Sequence, residues 1–403
     1  MKRTLIFTLL ISTAFYLQSC KTKPTEKPAG FIDANIGFAA EQYSLQTALI
    51  EKSGKILNPK SIIDGKMKYI NPQEWTSGFF PGSMWYLYEL TGDEKWKQFG
   101  IKYTEALDTV KYLTNHHDVG FMIGCSYGNG LRLAKNETYK EVIVQAAKSL
   151  STRFHPQAGI IQSWDVTGGW QAERGWECPV IIDNMMNLEL LFDATKYSGD
   201  STFWKIAVTH ADKTIENHFR PDFSTWHVID YSLADGSVRN KHTAQGFAHE
   251  STWARGQSWA IYGYTVCYRE TRDQKYLEQA EKAFEFVANH PNLPVDGVPY
   301  WDYNAPNIPN EKRDASSAAI MASALYELST YSKSEYYKGW ADKIMQSLSG
   351  TEYRAGLGEN GNFILKHSVG SIPHGSEVDV PLNYADYYFL EALKRKRDLE
   401  IQK

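Results

Sequence analysis

The chain has 403 residues with 43 basic and 47 acidic side chains, which gives a net charge of −4. That near balance excludes the basic footprint typical of nucleic-acid-binding domains, and the length allows one large domain or two small ones. Aromatic residues make up 14% of the chain, with 12 Trp and 25 Tyr. This content favours a large core together with an aromatic-lined cleft, as sugar-binding sites commonly have.

The N-terminus has the pattern of a signal peptide over residues 1–19. Two basic residues precede an apolar run, Leu5 to Leu17, which is too short to span a membrane. Leu17-Gln18-Ser19-Cys20 resembles the lipobox of a bacterial lipoprotein, in which Cys20 carries the lipid. Residues 20–34 then form a polar tether. We expect a lipid-anchored protein of the periplasm or cell envelope that meets the membrane only through this anchor. Simple secretion with a free Cys20 is the alternative.

The other cysteines, Cys125, Cys178 and Cys267, are far apart and odd in number. They form no CxxC pair, and no His, Asp or Glu cluster has the spacing of metal ligands. Buried free thiols are the simplest interpretation. We therefore expect no disulfide framework, no metal site and no cofactor.

A weak repeat runs through the chain after the tether. Polar turns with an Asp or Asn cap and a following aromatic residue alternate with apolar, helix-patterned stretches, and such turns close helical hairpins. Five of these turns occur, at residues 90–96, 133–139, 197–203, 271–276 and 331–336. They predict about ten to twelve helices, and no comparable series of strand patterns is found.

The irregular spacing of these turns, roughly 43 to 73 residues, argues against an open solenoid, whose repeats keep a stricter period. It favours an all-α fold, a closed (α/α)6 barrel of helical hairpins that forms a single catalytic domain over residues 35–398. Five loops rich in Gly, Trp and His would crowd one end of this barrel and form a pocket there. These loops are residues 115–127, 160–180, 221–250, 296–312 and 355–381.

The run Trp253-Ala254-Arg255-Gly256-Gln257-Ser258-Trp259 has the clearest chemical signature. As a helix, it places Arg255 and Trp259 one turn apart on the same face. A guanidinium can bind a carboxylate through two parallel hydrogen bonds, and an indole can stack on a sugar ring. The combination suits an acidic sugar. A core helix with a buried Arg–acid pair explains this run equally well.

Asp183 lies in an apolar run, between Val180-Ile181-Ile182 and Met185-Met186, where the charged form of a carboxyl is disfavoured and its pKa should rise. Asp118 is the natural partner, because a second carboxylate nearby raises that pKa further. Such a pair supplies one protonated and one ionised group for general acid–base catalysis. The alternatives are a helix N-cap for Asp183 and a turn residue for Asp118.

Four segments together resemble the unsaturated glucuronyl hydrolases, glycoside hydrolase family 88. They are Trp75-x-x-Gly-Phe-Phe-Pro-Gly, His117-Asp-x-Gly-Phe, Asp183-Asn-x-Met-Asn-Leu and Trp253-Ala-Arg-Gly-Gln-x-Trp. The resemblance implies an (α/α)6 barrel that needs no metal. It also implies a substrate class: oligosaccharides released by polysaccharide lyases, such as glycosaminoglycan disaccharides, with a 4,5-unsaturated uronic acid at the non-reducing end.

The chemistry that this resemblance implies is hydration and not displacement at C1. Water adds across the C4=C5 enol ether, and the resulting hemiketal opens and expels the neighbouring sugar. A retaining or inverting carboxylate pair is therefore the wrong template. The resemblance assigns Asp183 as the general acid and base, with Asp118 as the second carboxylate that keeps Asp183 protonated.

The resemblance also implies polar contacts with the substrate. Arg255 and Gln245 would hold the uronate carboxylate and neighbouring polar groups. His227, in the long loop before the Arg255 helix, matches a pocket histidine of the family. From the residues alone, a single loop histidine such as His227 is more often structural or solvated than catalytic.

Aromatic and hydroxyl side chains complete the implied site. Trp75 and Trp259 would stack on the sugar, and Trp164 would line a second subsite, a place that the nearby Trp170 could also take. In the loop from Lys366 to Ser376, Ser368 and Ser371 are candidates for contact with the second sugar. Some family members bind sulfate there with serines and a Lys, but Pro373 stands where that Lys would be. A flexible closing loop is the alternative.

Two other functions remain open from the sequence. The related unsaturated rhamnogalacturonyl hydrolases share the barrel, the chemistry and part of these motifs, and they act on pectin fragments. The Gln245–Arg255 spacing favours the glucuronyl type. A lipid-anchored sugar-binding protein without turnover is a different class, and the pair Asp118 and Asp183 argues against it.

Overall fold

The computed structural model describes residues 30–401, and helices dominate this part of the chain. Eleven of the helices have at least eleven residues, within the predicted number. In chain order the helices are α1 (Phe31–Glu51), α2 (Phe79–Thr91), α3 (Glu94–Glu105), α4 (Val119–Ile123), α5 (Asn129–Ala134), α6 (Tyr139–Ser151), α7 (Gly169–Glu173), α8 (Leu188–Ser198), α9 (Ser201–His218), α10 (Ala254–Thr271), α11 (Gln274–Asn289), α12 (Ala315–Leu328), α13 (Ser334–Leu348) and α14 (Asn383–Ile401).

All five predicted turns join consecutive helices: α2 to α3, α5 to α6, α8 to α9, α10 to α11 and α12 to α13. In three of them an aspartate is the N-cap, and its side chain accepts the N–H two residues later. These are Asp93, Asp200 and Asp273. Because such a cap satisfies an otherwise unpaired helix N–H, each turn is fixed by its own few residues.

The helices close into two concentric rings. The inner ring runs from α2 through the α4–α5 segment to α8, α10, α12 and α14, and α14 packs back against α2. The helices α3, α6, α9, α11, α13 and α1 pack outside it. Helix α12 is buried almost throughout its length, whereas α11 buries one apolar stripe. The predicted (α/α)6 barrel is confirmed.

The long loops contain short antiparallel strands, which the sequence did not predict. β5 (Cys178–Ile181), β6 (Val228–Tyr231) and β7 (Val238–His242) form a three-stranded sheet. The hairpins are β1 (Asn58–Ile63) with β2 (Lys66–Ile70), β3 (Phe154–His155) with β4 (Ile160–Ile161), and β8 (Ser368–Ser371) with β9 (Ser376–Val380). Strands of two to six residues are too short for an alternating pattern to be distinguished from loop sequence.

Several of the predicted loops meet through isolated strand pairings. His116 pairs with Trp164, and Trp253 pairs with Asp302, which joins loops from different hairpins. The predicted loop 115–127 is itself mostly helical, since α4 continues into a π-helical turn over Gly124–Gly128.

The ends of the domain differ slightly from the sequence prediction. Helix α1 begins at Phe31, so residues 31–34 are helical and do not belong to the polar tether. The predicted signal peptide and Cys20 lie outside the described residues. Within residues 30–401, no helix is long and apolar enough to cross a membrane. Cys125, Cys178 and Cys267 are free and buried, as predicted.

Candidate active site

Asp183 lies in a 3-10 segment, Ile182–Asn187, between strand β5 and helix α8. Its side chain keeps 10% of its accessible surface, and Oδ2 has no hydrogen-bond partner among the described residues. Neither this segment nor α8 has a side-chain capping bond, so the alternative of a helix N-cap is not realised. One oxygen of this carboxyl is therefore buried without the donor that normally accompanies a buried acid.

These surroundings change the acidity of Asp183. Burial raises the pKa of its carboxyl to about 7, the charge of Arg255 opposes this rise, and Asp118 adds to it. Desolvation penalises the ionised form because a charge loses its hydration in an apolar environment. Near neutral pH, Asp183 can therefore both hold and release a proton.

Asp118 immediately precedes helix α4, and its two oxygens face two histidines. Oδ1 lies 3.3 Å from His117 Nε2, and Oδ2 lies 3.5 Å from His116 Nδ1. Burial alone would raise the pKa of Asp118, but His117, His116 and Arg153 hold it below its usual value. The two carboxyls thus differ in the way that acid–base chemistry requires, since Asp118 is an anion while Asp183 still carries its proton.

Arg255 lies in the first turn of α10 and is 1% exposed. Its Nη1 donates to Asp314 Oδ2 at 3.0 Å and to the Val369 carbonyl, and its Nη2 donates to the Gly370 carbonyl at 2.7 Å. The buried Arg–acid pair that the sequence left open is present. The guanidinium also lines a cavity, so the structural and the binding interpretations apply to the same side chain.

His227 and Gln245 are linked through the backbone. His227 Nδ1 accepts the N–H groups of Ala244 and Gln245 at 3.1 and 3.2 Å, so its proton belongs on Nε2. That Nε2 lies 3.7 Å from Asp183 Oδ2. Burial, aided by Arg255, lowers the pKa of His227 well below its usual value. A neutral imidazole therefore faces the protonated carboxyl.

A cavity of ≈ 330 Å³ collects five of the residues that the sequence predicted. They are Trp75, Trp164, Gln245, Arg255 and Ser371. Trp170 lines the same cavity, and its ring meets that of Trp164 edge-on at 5.1 Å between centroids. Trp164 and Trp170, which the sequence offered as alternatives for the second subsite, both line this cavity. Aromatic walls around a few polar groups are typical of small-ligand sites.

Two predicted contacts need correction. Trp259 is fully buried, packed between Phe121 and Tyr388, and it has no free face for a sugar. Its indole N–H lies near Asp183 and lowers the pKa of that carboxyl, although it forms no hydrogen bond with any described residue. Ser368 is also fully buried and is not a wall of the cavity, whereas Ser371 is a wall and its Oγ lies 2.7 Å from His374 Nδ1. Helical spacing predicted a shared face for Arg255 and Trp259, but not how deeply each side chain is covered.

Charged walls of this cavity were missed from the sequence. Lys60 Nζ lies 2.8 Å from Glu74 Oε1 and 2.7 Å from Glu377 Oε1, and both Lys60 and Glu377 line the cavity. Lys60 is in β1 and Glu377 is in β9, so they are brought together only when the two hairpins meet. No local pattern in the sequence could have paired residues so far apart.

A larger cavity, of ≈ 710 Å³, is lined by residues of the inner-ring helices α2, α8, α10, α12 and α14. It is lined by an ion-paired set of acids and bases, including Glu189, Arg269, Glu327 and Arg395. Neither Asp118 nor Asp183 is among the walls of this cavity or of the smaller one. The smaller cavity is the candidate site because its walls include Arg255, whose charge acts on Asp183, together with four other residues that the sequence predicted. Within residues 30–401, no group of three or more His, Cys, Asp or Glu is placed to hold a metal ion.

A family model described as Glycosyl Hydrolase Family 88 matches residues 55–398. The chain belongs to this family. A curated relative, the unsaturated glucuronyl hydrolase of Formosa agariphila, is 44% identical over 99% of both chains. The unsaturated glucuronyl hydrolase of a Bacillus species, strain GL1, is 33% identical over 83% of this chain and 89% of its own.

Solved structures agree with this assignment to family 88. A crystal structure of an unsaturated glucuronyl hydrolase specific for heparin superposes with a TM-score of 0.85 at 44% identity, covering 90% of this chain and 98% of its own. The protein is thus a family 88 glycoside hydrolase. The motifs that suggested the family from sequence contribute Asp118, Asp183, Trp75 and Arg255 to one end of the barrel.

Proposed function

We propose that this family 88 enzyme releases a 4,5-unsaturated uronic acid from the non-reducing end of lyase-generated oligosaccharides, with glycosaminoglycan-type disaccharides as its substrates. The observation that carries the proposal is Asp183, a buried carboxyl with an unpartnered oxygen and a pKa of about 7 beside Arg255. The relative that is specific for heparin supports glycosaminoglycans as the substrate class.

In the proposed reaction, Asp183 donates its proton to C4 of the C4=C5 double bond, and positive charge develops at C5 next to the ring oxygen. The Asp183 carboxylate then takes a proton from the water that adds at C5, which restores the acid. The C5 hemiketal opens to a ketone and leaves a hemiacetal at C1, which expels the neighbouring sugar. Positioned proton transfer of this kind contributes roughly 10²- to 10⁴-fold in rate.

The remaining polar side chains would bind the substrate or control the protonation and orientation of Asp183. Arg255 and Gln245 would receive the uronate carboxylate, with the fork of Arg255 already held by Asp314 and the Gly370 carbonyl. Preorganised donors lose little freedom on binding. Asp118 would keep Asp183 protonated through its negative charge, and His227 would orient the Asp183 carboxyl with its Nε2–H.

The leaving sugar would lie against the aromatic walls of the cavity. Trp75 would cover one face of the uronate ring, and Trp164 with Trp170 would line the next subsite. Ser371 would offer a hydroxyl to that second sugar. Aromatic rings suit this role because the C–H faces of sugars pack against their π surfaces.

The decisive experiment follows the absorbance of the conjugated unsaturated uronate during incubation with purified disaccharides from heparin, chondroitin and pectin lyase digests. Loss of the absorbance together with release of the partner sugar supports hydration of the enol ether. The same disaccharides with a saturated uronate are the matched control and should remain intact. Turnover of pectin fragments alone would identify a rhamnogalacturonyl hydrolase, and binding without loss of absorbance would identify a sugar-binding protein.

We also propose that the enzyme is held at a membrane in the periplasm or cell envelope by lipid on Cys20. The support is the lipobox-like sequence that ends at Cys20 and the polar segment that follows it. Cys20→Ala should move the protein from the membrane to the soluble fraction and leave the rate of turnover unchanged. A Cys20→Ala protein that stays in the membrane fraction would contradict this proposal.

A further inference from the structure

The Asp118 carboxylate lies beside two adjacent histidines that differ in their surroundings. His116 is partly exposed, and its Nδ1 lies within 3.3 Å of the Asp118 N–H, which donates to it. His117 is fully buried, and its Nε2 lies 3.3 Å from Asp118 Oδ1. His117 therefore has a ring nitrogen that faces the carboxylate without a competing backbone donor, and this Nε2 forms no aligned hydrogen bond with any described residue.

The neighbours of His117 determine which ring nitrogen carries the proton. Asn187 Oδ1 accepts the Phe121 N–H at 2.9 Å, which turns its Nδ2 donor toward His117 Nδ1 at 3.4 Å. Ser163 Oγ accepts the Ile181 N–H at 3.0 Å, so its own hydrogen is free to point at the same Nδ1, also at 3.4 Å. Two donors on Nδ1 require that Nδ1 accepts, and the ring hydrogen is therefore on Nε2.

Gly120 makes this arrangement possible. A Cβ atom at Gly120 would lie 2.4 Å from Asn187 Oδ1 and 2.5 Å from Asn187 Cα, closer than atoms can approach. Any side chain at Gly120 would therefore push Asn187 away from His117. The spacing His117-Asp118-x-Gly120 thus places the imidazole beside the carboxylate and leaves the space that Asn187 needs to contact His117.

We propose that His117 is a positioning residue whose Nε2–H dipole, 3.3 Å from Asp118 Oδ1, favours the anionic form of Asp118 beside Asp183, with Asn187 and Ser163 setting the tautomer. This inference rests on the proposed function only for its kinetic consequence. Burial lowers the pKa of His117, although Asp118 opposes this, so His117 acts as a neutral donor. Asn184 also faces the ring of His117.

The other charges around the two acids are few. Arg153 also faces Asp118, and it is tied to Asp165 at 2.9 Å. Arg255 and His227 face Asp183, together with the Trp259 indole N–H. None of these groups donates to Asp118 from a buried ring. Loss of the His117 donor should therefore raise the pKa of Asp118, and a more protonated Asp118 should support the protonated form of Asp183 less well.

The first test needs no substrate. In protein with ¹⁵N-labelled histidine, the His117 signals should show a bare Nδ1 and a protonated Nε2 across the neutral range. In protein with ¹³C-labelled aspartate, the Asp118 carboxyl should titrate at higher pH in His117→Leu than in wild type. A protonated Nδ1 in the wild type would overturn the proposal without any variant, and so would an unchanged titration of Asp118 in folded His117→Leu.

The kinetic test compares His117→Leu with His210→Leu. His210 is an equally buried histidine whose Nδ1 accepts the Ile161 N–H at 3.0 Å, and it contacts no carboxylate among the described residues. His117→Leu should lower kcat/KM by up to about tenfold, because a polar contact with a charged group is lost. The pH profile of kcat/KM for this variant should also narrow, because the pKa of the acid limb should rise and the pKa of the alkaline limb should fall.

His117→Gln, which can donate through Nε2, should restore most of the width of the pH profile of kcat/KM. His210→Leu should leave both pKa values of that profile at their wild-type positions. Equal narrowing in His210→Leu, or a normal profile in folded His117→Leu, would overturn the proposal. If wild-type enzyme turns over no unsaturated disaccharide, the proposed function fails, and the two NMR titrations still decide the role of His117.

Discussion

Glu391 and Asp183 are both carboxyl groups inside the barrel, 5% and 7% exposed, but they are surrounded very differently. Glu391 accepts from Tyr86 at 2.6 Å, from Tyr262 at 2.9 and 3.0 Å and from Ser323 at 2.6 Å, and Arg395 lies 3.6 Å away.

One oxygen of Asp183 has no hydrogen-bond donor within residues 30–401. A buried acid whose lone pairs are all used stabilises the structure around it, whereas a buried acid left short of donors has a raised pKa and can exchange a proton. Glu391 and Asp183 thus differ in the number of donors around the carboxyl, while their burial is similar.

The largest expected effect is on turnover. Asp183→Asn keeps the shape of the side chain but removes the proton that is exchanged, so kcat should fall by roughly 10²- to 10⁴-fold. The melting temperature should stay the same or rise, because the amide carries no charge to bury. Initial rates on an unsaturated disaccharide and a thermal melt test both parts. Retention of more than about a tenth of the wild-type kcat would remove Asp183 from the acid–base role.

The matched substitution of the other buried carboxyl, Glu391→Ala, should lower stability and leave turnover almost unchanged. Glu391→Ala leaves three hydroxyl groups and part of the Arg395 charge without their acceptor, and breaking a buried charged network typically costs about 3–5 kcal/mol. Denaturant unfolding should show this loss, while kcat per folded molecule stays within about twofold of wild type. A strong loss of kcat in fully folded Glu391→Ala would show that this end of the barrel also takes part in the chemistry.

Arg255→Lys tests the side chain that both bonds within the protein and lines the cavity. An ammonium group keeps the charge but cannot reach Asp314 and the Gly370 carbonyl with a rigid fork. KM should rise by about tenfold, and the alkaline limb of the kcat/KM profile should move little because the positive charge remains. A lower melting temperature with unchanged KM would leave Arg255 with a structural role only.

The smallest effect is a pH dependence of stability. The pKa of Asp183 rises from an ordinary 3.8 in the unfolded chain to about 7 in the folded one, so the folded state binds the extra proton between these values. Stability should therefore fall as pH rises through this window. Asp183→Asn lacks this dependence, and the difference in unfolding free energy between the variant and wild type should grow with pH. A difference that is independent of pH would mean that Asp183 titrates normally.

Activity should share the upper boundary of that window. As a general acid, Asp183 must be protonated in the free enzyme, so kcat/KM should fall as pH rises above about 7. Asp118, whose pKa is held below its usual value, sets the acid limb. A profile that stays flat well above neutral pH would exclude Asp183 as the acid.

The sequence by itself determined the helical hairpins and the candidate acids. Asp93, Asp200 and Asp273 cap helices through hydrogen bonds to residues only two positions away, so a few adjacent letters are enough to predict each turn. The apolar run around Asp183 also predicted a raised pKa for its carboxyl, and burial is the largest cause of that rise in the structure.

Only the tertiary structure decided which polar atoms are satisfied and which side chains stay accessible. Lys60 and Glu377 form an ion pair between hairpins that are distant in sequence, and Trp259 is fully buried. The tautomer of His117 depends on Asn187 and Ser163, which lie in two other parts of the chain. Hydrogen-bond partners and burial in a closed barrel come from residues far apart in sequence. Local patterns therefore pointed to Asp183 as the candidate acid. Which donors surround its carboxyl is decided only by contacts between helices and loops that are distant in sequence.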